Sequence, residues 1–154
     1  MCVDNTLPRV EYEDIIPEIG KLNKDIYSKH SEKRGIAFEL GDILFGKLRP
    51  YLKNWLHADF SGIAVGDWWV LHSENVDDTF LYVLIQGNQF QIIANQTKGT
   101  KMPRSDWNAV AQSNFSIPRT RNEQKKIGTF FQLLDNLITL HQRKSLARLY
   151  LAQT

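Results

Sequence analysis

Thr120-Arg121-Asn122-Glu123-Gln124-Lys125-Lys126-Ile127-Gly128-Thr129-Phe130-Phe131-Gln132-Leu133-Leu134-Asp135-Asn136-Leu137-Ile138-Thr139-Leu140-His141 opens the last fifth of the 154-residue chain, and its reading decides how the rest is arranged. Pro118 excludes helix upstream. Thr120 and Glu123 stand at capping-box spacing, in which a Thr side chain and a Glu three residues later satisfy the first free backbone N–H groups. Ile127, Phe130, Phe131, Leu134, Leu137 and Ile138 then recur at intervals of three and four, while Gln132, Asp135, Asn136, Thr139 and Arg143 fall on the opposite side. Leu133 and Leu140 widen the apolar arc to about half the circumference at roughly 100° per residue, which asks for two neighbours rather than one. Run to the chain end, the helix is roughly 50 Å long, longer than a small domain is wide, so part of it should project and need a partner. Beyond His141 the stripe weakens to Ser145 and Leu149 among Arg143, Lys144 and Arg148. A helix folded back on its own domain is the other reading, because tertiary packing readily claims an amphipathic face.

The remainder is of a size for one domain, giving residues 1–119 as a globular unit and 120–154 as the helix. With 42% hydrophobic and 23% charged residues the chain can bury an ordinary core. Net charge is only +2, so affinity for nucleic acid has to come from clustered Lys and Arg rather than from bulk charge. A single cysteine, Cys2, excludes a disulfide framework within the chain and fits a reducing cytosol. There is no secretory signal and no apolar run long enough for a bilayer, so a cytoplasmic protein with no membrane partner is expected.

Along the chain, Val10–Tyr12 is a short strand candidate, and Lys21 to Arg34 reads as a solvated loop or a phosphate-facing surface. Short strands are expected at Ile36–Phe38, Ile43–Leu48, Tyr51–Leu56, Ile63–Val65 and Trp68–Leu71, forming a small, curled, antiparallel or mixed sheet. Asp77-Asp78-Thr79 opens a helical pattern that breaks at Gly87-Asn88 and resumes through Phe90, Ile93 and Ala94. A basic loop, a helical turn from Ser105 to Ala111 and a strand at Phe115–Ile117 follow. The fold class is α+β, with helices covering the sheet and a long terminal helix.

No catalytic constellation stands out. His30, His57, His72 and His141 lack ligand spacing, one cysteine excludes a cysteine-rich zinc site, and no phosphate-binding glycine run is present. No cofactor or metal is expected. Asp77-Asp78 precedes an apolar helical run and reads as an N-cap. Trp68-Trp69 reads as a strand with one ring in the core and the other exposed or in a subunit contact.

The positive signal is two basic stretches. In Gly46-Lys47-Leu48-Arg49-Pro50-Tyr51-Leu52-Lys53, strand alternation would set Lys47, Arg49, Tyr51 and Lys53 on one face. Lys98-Gly99-Thr100-Lys101-Met102-Pro103-Arg104-Ser105 offers cations at 98, 101 and 104, hydroxyls at Thr100 and Ser105, and a flexible glycine. Arg49 and Arg104 suit base readout, because a planar fork can pair with guanine in two bonds at once. The lysines suit phosphates, although a cationic strand face can equally be just solvated.

Taken in order, Gly41-Asp42-Ile43-Leu44-Phe45-Gly46-Lys47-Leu48-Arg49-Pro50-Tyr51, then Gly99-Thr100-Lys101-Met102-Pro103-Arg104, then Ile117-Pro118 with Glu123-Gln124-Lys125-Lys126-Ile127-Gly128, resemble the target-recognition domain of type I restriction-modification specificity subunits. Leu134-Asp135 and His141-Gln142-Arg143-Lys144 extend the likeness over residues 10–150. The resemblance implies a DNA-binding α+β domain on a long spacer helix that pairs in an antiparallel coiled coil. It also implies a non-catalytic subunit that reads half of an interrupted double-stranded target, seats adenine methyltransferase subunits and meets a restriction subunit. A full family member has two recognition domains and two spacer helices; this chain has one of each and begins where the family usually has an opening segment. A homodimer formed through Ile127 to Leu149 is therefore expected. The alternative is a protein-interaction or decoy module that binds the methyltransferase without productive DNA readout. A fragment of a single-chain methyltransferase would require a cofactor-binding domain whose motifs these residues lack.

Overall fold

The computed structural model describes residues 6–29, 31–97 and 99–152, so Cys2, His30 and Lys98 lie outside the described residues. Two three-stranded sheets and a two-stranded hairpin make up the β structure. In the first sheet, β7 (Gly62–Ala64) lies between β1 (Arg9–Val10), which runs parallel to it, and β4 (Ile36–Phe38), which runs antiparallel. In the second, β5 (Ile43–Gly46) lies between β6 (Trp55–His57) and β8 (Trp68–Leu71), all antiparallel. The hairpin joins β2 (Ile15–Ile16) to β3 (Lys21–Leu22). The architecture is α+β, as expected.

Strand β5 is buried along its whole length, and its two faces feed different halves of the core. Leu44 packs with Val10, Phe38, Leu56 and Trp68 between the sheets. Ile43 and Phe45 point the other way, with Trp55, onto Ile85, Phe90, Ala94 and Val110. Those last four residues come from α1 (Asp78–Gln86), α2 (Asn88–Ala94) and α3 (Trp107–Ala111), which cover that face. Asp77 caps α1, its carboxylate accepting from Thr79 N at 3.0 Å and Phe80 N at 3.3 Å. Asp78 adds a tie from α1 to β6 through His57 Nε2 at 2.8 Å.

Several expectations are corrected. Strand β5 stops at Gly46, and Pro50–Leu52 is a 3-10 turn whose flanking residues, Arg49 and Lys53, are left-handed at φ 49° and 56°. Strand alternation therefore ends before Lys47. Phe115–Ile117 forms no strand: Phe115 packs on the Phe90 ring, and the segment takes no regular structure. Trp68 is fully buried, but Trp69 is also used internally, stacked on Phe45 and met edge-on by Trp107. The charged segment from Lys21 to Arg34 is mostly exposed, as a solvated loop would be, but several of its lysines are engaged in ion pairs. Lys24, Lys29 and Lys33 are paired with Glu11, Glu13 and Asp14.

The long helix α4 spans Arg121–Ala152, about 48 Å at 1.5 Å per residue. Thr120 Oγ1 accepts from Glu123 N at 3.2 Å, the N-terminal half of the expected capping box. The helix's hydrogen bonds to the domain lie in its first turn, through Arg121 and Gln124. Gln124 is buried, accepting from Asp77 N at 2.9 Å and donating to Pro118 O at 2.8 Å. Gly128 lies so close to Thr79 that a Cβ there would collide with it. The apolar stripe faces elsewhere. Phe130, Leu137 and Leu149 are 58%, 62% and 61% exposed, and Leu134 and Ile138 are exposed with them. Among the described residues no helix is long and apolar enough to cross a membrane.

Candidate nucleic-acid interface

The two basic stretches, about fifty residues apart in sequence, are joined through their backbones. Beyond Gly46 the chain keeps running beside the 103–105 segment: Arg49 N donates to Pro103 O at 2.7 Å and Ser105 N to Lys47 O at 2.8 Å. Leu48 and Arg104 form the β-bridge between them. Lys47, Arg49 and Arg104 are thereby gathered on one short ridge, extended by the 3-10 turn and the Gly99–Met102 loop. Gly99 supplies the positive φ of 79° that the loop needs. At the tip of the turn Tyr51 is 55% exposed, a ring with a free face.

Expected site residues separate into four groups. Lys47, Arg49, Tyr51, Thr100, Lys101 and Arg104 lie on the ridge or its loop, and Lys47 and Lys101 have no ion-pair partner among the described residues. Lys53 is turned by its left-handed backbone toward Glu18, with which its ammonium pairs. Ser105 is buried, and its hydroxyl donates to Ala94 O at 2.8 Å, so it ties the loop to α2 instead of facing outward. Lys98 lies outside the described residues.

Rigidity under the ridge comes from Tyr12. Its hydroxyl donates to Asp67 O at 2.6 Å and accepts from Leu48 N at 3.1 Å, and its ring meets Trp68 edge-on at 4.6 Å. Burial pushes its pKa up to about 12, so the hydroxyl keeps its proton and both bonds persist at neutral pH. Asp67 itself holds the Arg104 guanidinium, accepting from Nε at 3.3 Å and from Nη2 at 3.2 Å. Sequence reasoning missed Asp67, because a lone Asp 37 positions from its arginine has no spacing signature. Arg49 is held differently. Its Nε is buried without a hydrogen-bond partner among the described residues, a cost of about 1–3 kcal/mol that the fold carries at this position.

Among the described residues no group of three or more His, Cys, Asp or Glu could hold a metal. A groove of about 760 Å³ runs beneath α4, lined in part by Leu22, Leu56, Tyr82 and Gln132, and none of the two basic stretches lines it. The ridge carries planar and point cations, an exposed ring and an exposed loop hydroxyl, groups of the kinds that meet phosphates and base edges.

The chain belongs to the type I restriction modification DNA specificity domain family, whose model matches residues 51–149. No match was found among curated protein sequences. Among solved structures it is similar to the HsdS subunit from Thermoanaerobacter tengcongensis, with TM-score 0.71 and 22% identity over 89% of this chain and 37% of that one. It is likewise similar to a chain solved in a study of complex assembly and conformational transition of the type I R-M system, with TM-score 0.70 and 20% identity. That likeness covers 92% of this chain and 39% of the other, so the present chain spans less than half the length of either.

Proposed function

We propose that this chain is one DNA-reading half of a type I restriction-modification specificity assembly. It would recognise half of an interrupted double-stranded target and, through α4, seat adenine methyltransferase subunits alongside a restriction subunit in the cytoplasm. The observation that carries the reading is the backbone-joined ridge of Lys47, Arg49 and Arg104. Fixed cations on a rigid support can meet phosphates and base edges together, whereas cations on separate mobile loops would each lose entropy on binding. Lys47 and Lys101 are assigned to phosphates, Arg49 and Arg104 to base edges, and Tyr51 and Thr100 to flanking contacts. No chemistry of its own is assigned to the chain; the methyl and strand-cutting reactions belong to its partners.

The exposed stripe of α4 supports the second part of the reading. Gln124 and Gly128 fasten the helix to its own domain, and of the expected pairing residues from Ile127 to Leu149 those from Phe130 onward are exposed and left for another helix, whereas Ile127 is half-buried. Two-fold pairing of identical chains through this stripe, with His141 near its weaker half, runs antiparallel and sets two ridges apart on one duplex. A helix of about 48 Å exceeds one DNA turn of about 34 Å, which suits two half-sites with a gap between them.

Duplex binding at fixed salt tests the DNA assignment. Arg49→Ala and Arg104→Ala should each weaken binding by roughly five- to 150-fold, on the order of 1–3 kcal/mol. Unchanged affinity in both variants, with the methyltransferase still bound, would favour an interaction module without DNA readout.

A further inference from the structure

The side-on contact between Asp67 and Arg104 uses only one edge of the guanidinium. Nε and Nη2 donate to the two carboxylate oxygens, which leaves the end-on edge, Nη1 and the second N–H of Nη2, facing outward from a side chain about half exposed. Two parallel donors on that edge match the O6 and N7 acceptors of guanine in the major groove. The backbone of Asp67 is itself tied down. It lies in the turn between β7 and β8, its carbonyl accepts from both Tyr12 Oη and Lys47 N, and the next residue, Trp68, is fully buried. The backbone of Arg104 is pinned by the bridge to Leu48. Both ends of the arginine are therefore fixed.

We propose that Asp67 is a positioning residue that locks the Arg104 fork for guanine at one position of the half-site. The inference rests on the DNA-reading function proposed above and adds a selectivity device to it. A free arginine can swing to a phosphate or to another acceptor, and its contact then carries little sequence information. Held by a carboxylate, it is partly neutralised, which disfavours a phosphate role, and its planar edge has one orientation. Little side-chain entropy remains to be lost when the base is met.

The test is a selection from a randomised duplex pool, using the full chain purified with its modification subunits, for wild type, Arg104→Ala, Asp67→Asn and Asp67→Ala. Asp67→Asn keeps the shape of the turn and the backbone carbonyl, and a melting curve within a few degrees of wild type establishes that it folds. Wild type should select a motif with guanine at one position, and Arg104→Ala should erase that preference. Asp67→Asn should reduce it roughly ten-fold while leaving the other positions and the salt dependence of binding unchanged. An unchanged motif in both Asp67 variants overturns the proposal while leaving DNA reading intact. So does tighter binding with an unaltered motif, which would make Asp67 a mask over the Arg104 charge. Absence of any selected motif in wild type overturns both the proposal and the function on which it rests.

Discussion

Arg49 is the residue where backbone strain and chemistry coincide. Its φ of 49° is ordinary for glycine but costs about 1–2 kcal/mol for a residue with a Cβ, and its Nε is buried with no hydrogen-bond partner among the described residues. Arg49→Gly should therefore fold at least as stably as wild type by thermal melting, yet lose DNA affinity as Arg49→Ala does. A variant that gains stability and keeps its affinity would remove Arg49 from the interface. The Glu11, Asp14, Lys24, Lys29 and Lys33 group gives a second prediction. Burial alone would raise both carboxyls, but Lys29 and Lys33 on Glu11, and the Glu11 N–H with Lys24 and Lys29 on Asp14, outweigh it and hold both below their usual range. Folded values below unfolded ones mean that this stability is complete above about pH 4–5 and is lost as pH falls through the depressed values. The melting temperature should drop on that acid limb. Lys29→Met should lower it at pH 7 by the equivalent of about 2 kcal/mol, and flatten the limb, because Lys24 stays on Asp14 and Lys33 on Glu11 but both carboxylates lose the cation they share.

At the scale of elements, α4 has two faces with separate tasks. The Gln124 and Gly128 face attaches it to α1, and the Phe130, Leu134 and Leu137 face is bare. Gly128→Val should force the helix away from Thr79, destabilising the chain by about 2–3 kcal/mol in a thermal melt. Leu137→Lys should do the reverse, leaving the domain's melting temperature within a few degrees while light scattering shows the mass fall from dimer to monomer. If wild type is itself monomeric alone and beside the methyltransferase, the stripe has some other use. The helix was legible in sequence because capping, period and length agree across more than thirty residues. Which side would touch the domain was not: the attachment runs through a buried glutamine and a glycine, residues that a hydrophobic pattern passes over. The strands at Ile36–Phe38 and Trp68–Leu71 were legible for similar reasons of alternation and β-branched or aromatic content. Tyr51–Leu56 was misread because nothing in Arg49-Pro50-Tyr51-Leu52-Lys53 announces left-handed residues on both sides of a 3-10 turn.

For the whole molecule, sequence supplied the two basic stretches and the structure supplied their junction. Long-range pairing of Arg49 N with Pro103 O and Ser105 N with Lys47 O leaves no trace in local composition, and neither does the Asp67 clamp. Removing Lys53 and Ser105 from the expected surface followed from the same kind of information, a carboxylate and a carbonyl far away in the chain. What results is a compact basic ridge on a domain that is joined to one end of a long, half-bare helix. The most direct test is to co-express this chain with its adenine methyltransferase partner and map methylated adenines across the host DNA. The account predicts a new motif that is an interrupted palindrome, its two identical halves about one helical turn apart. Co-purification of the two proteins with no new methylated motif, or with a motif whose halves differ, would contradict it.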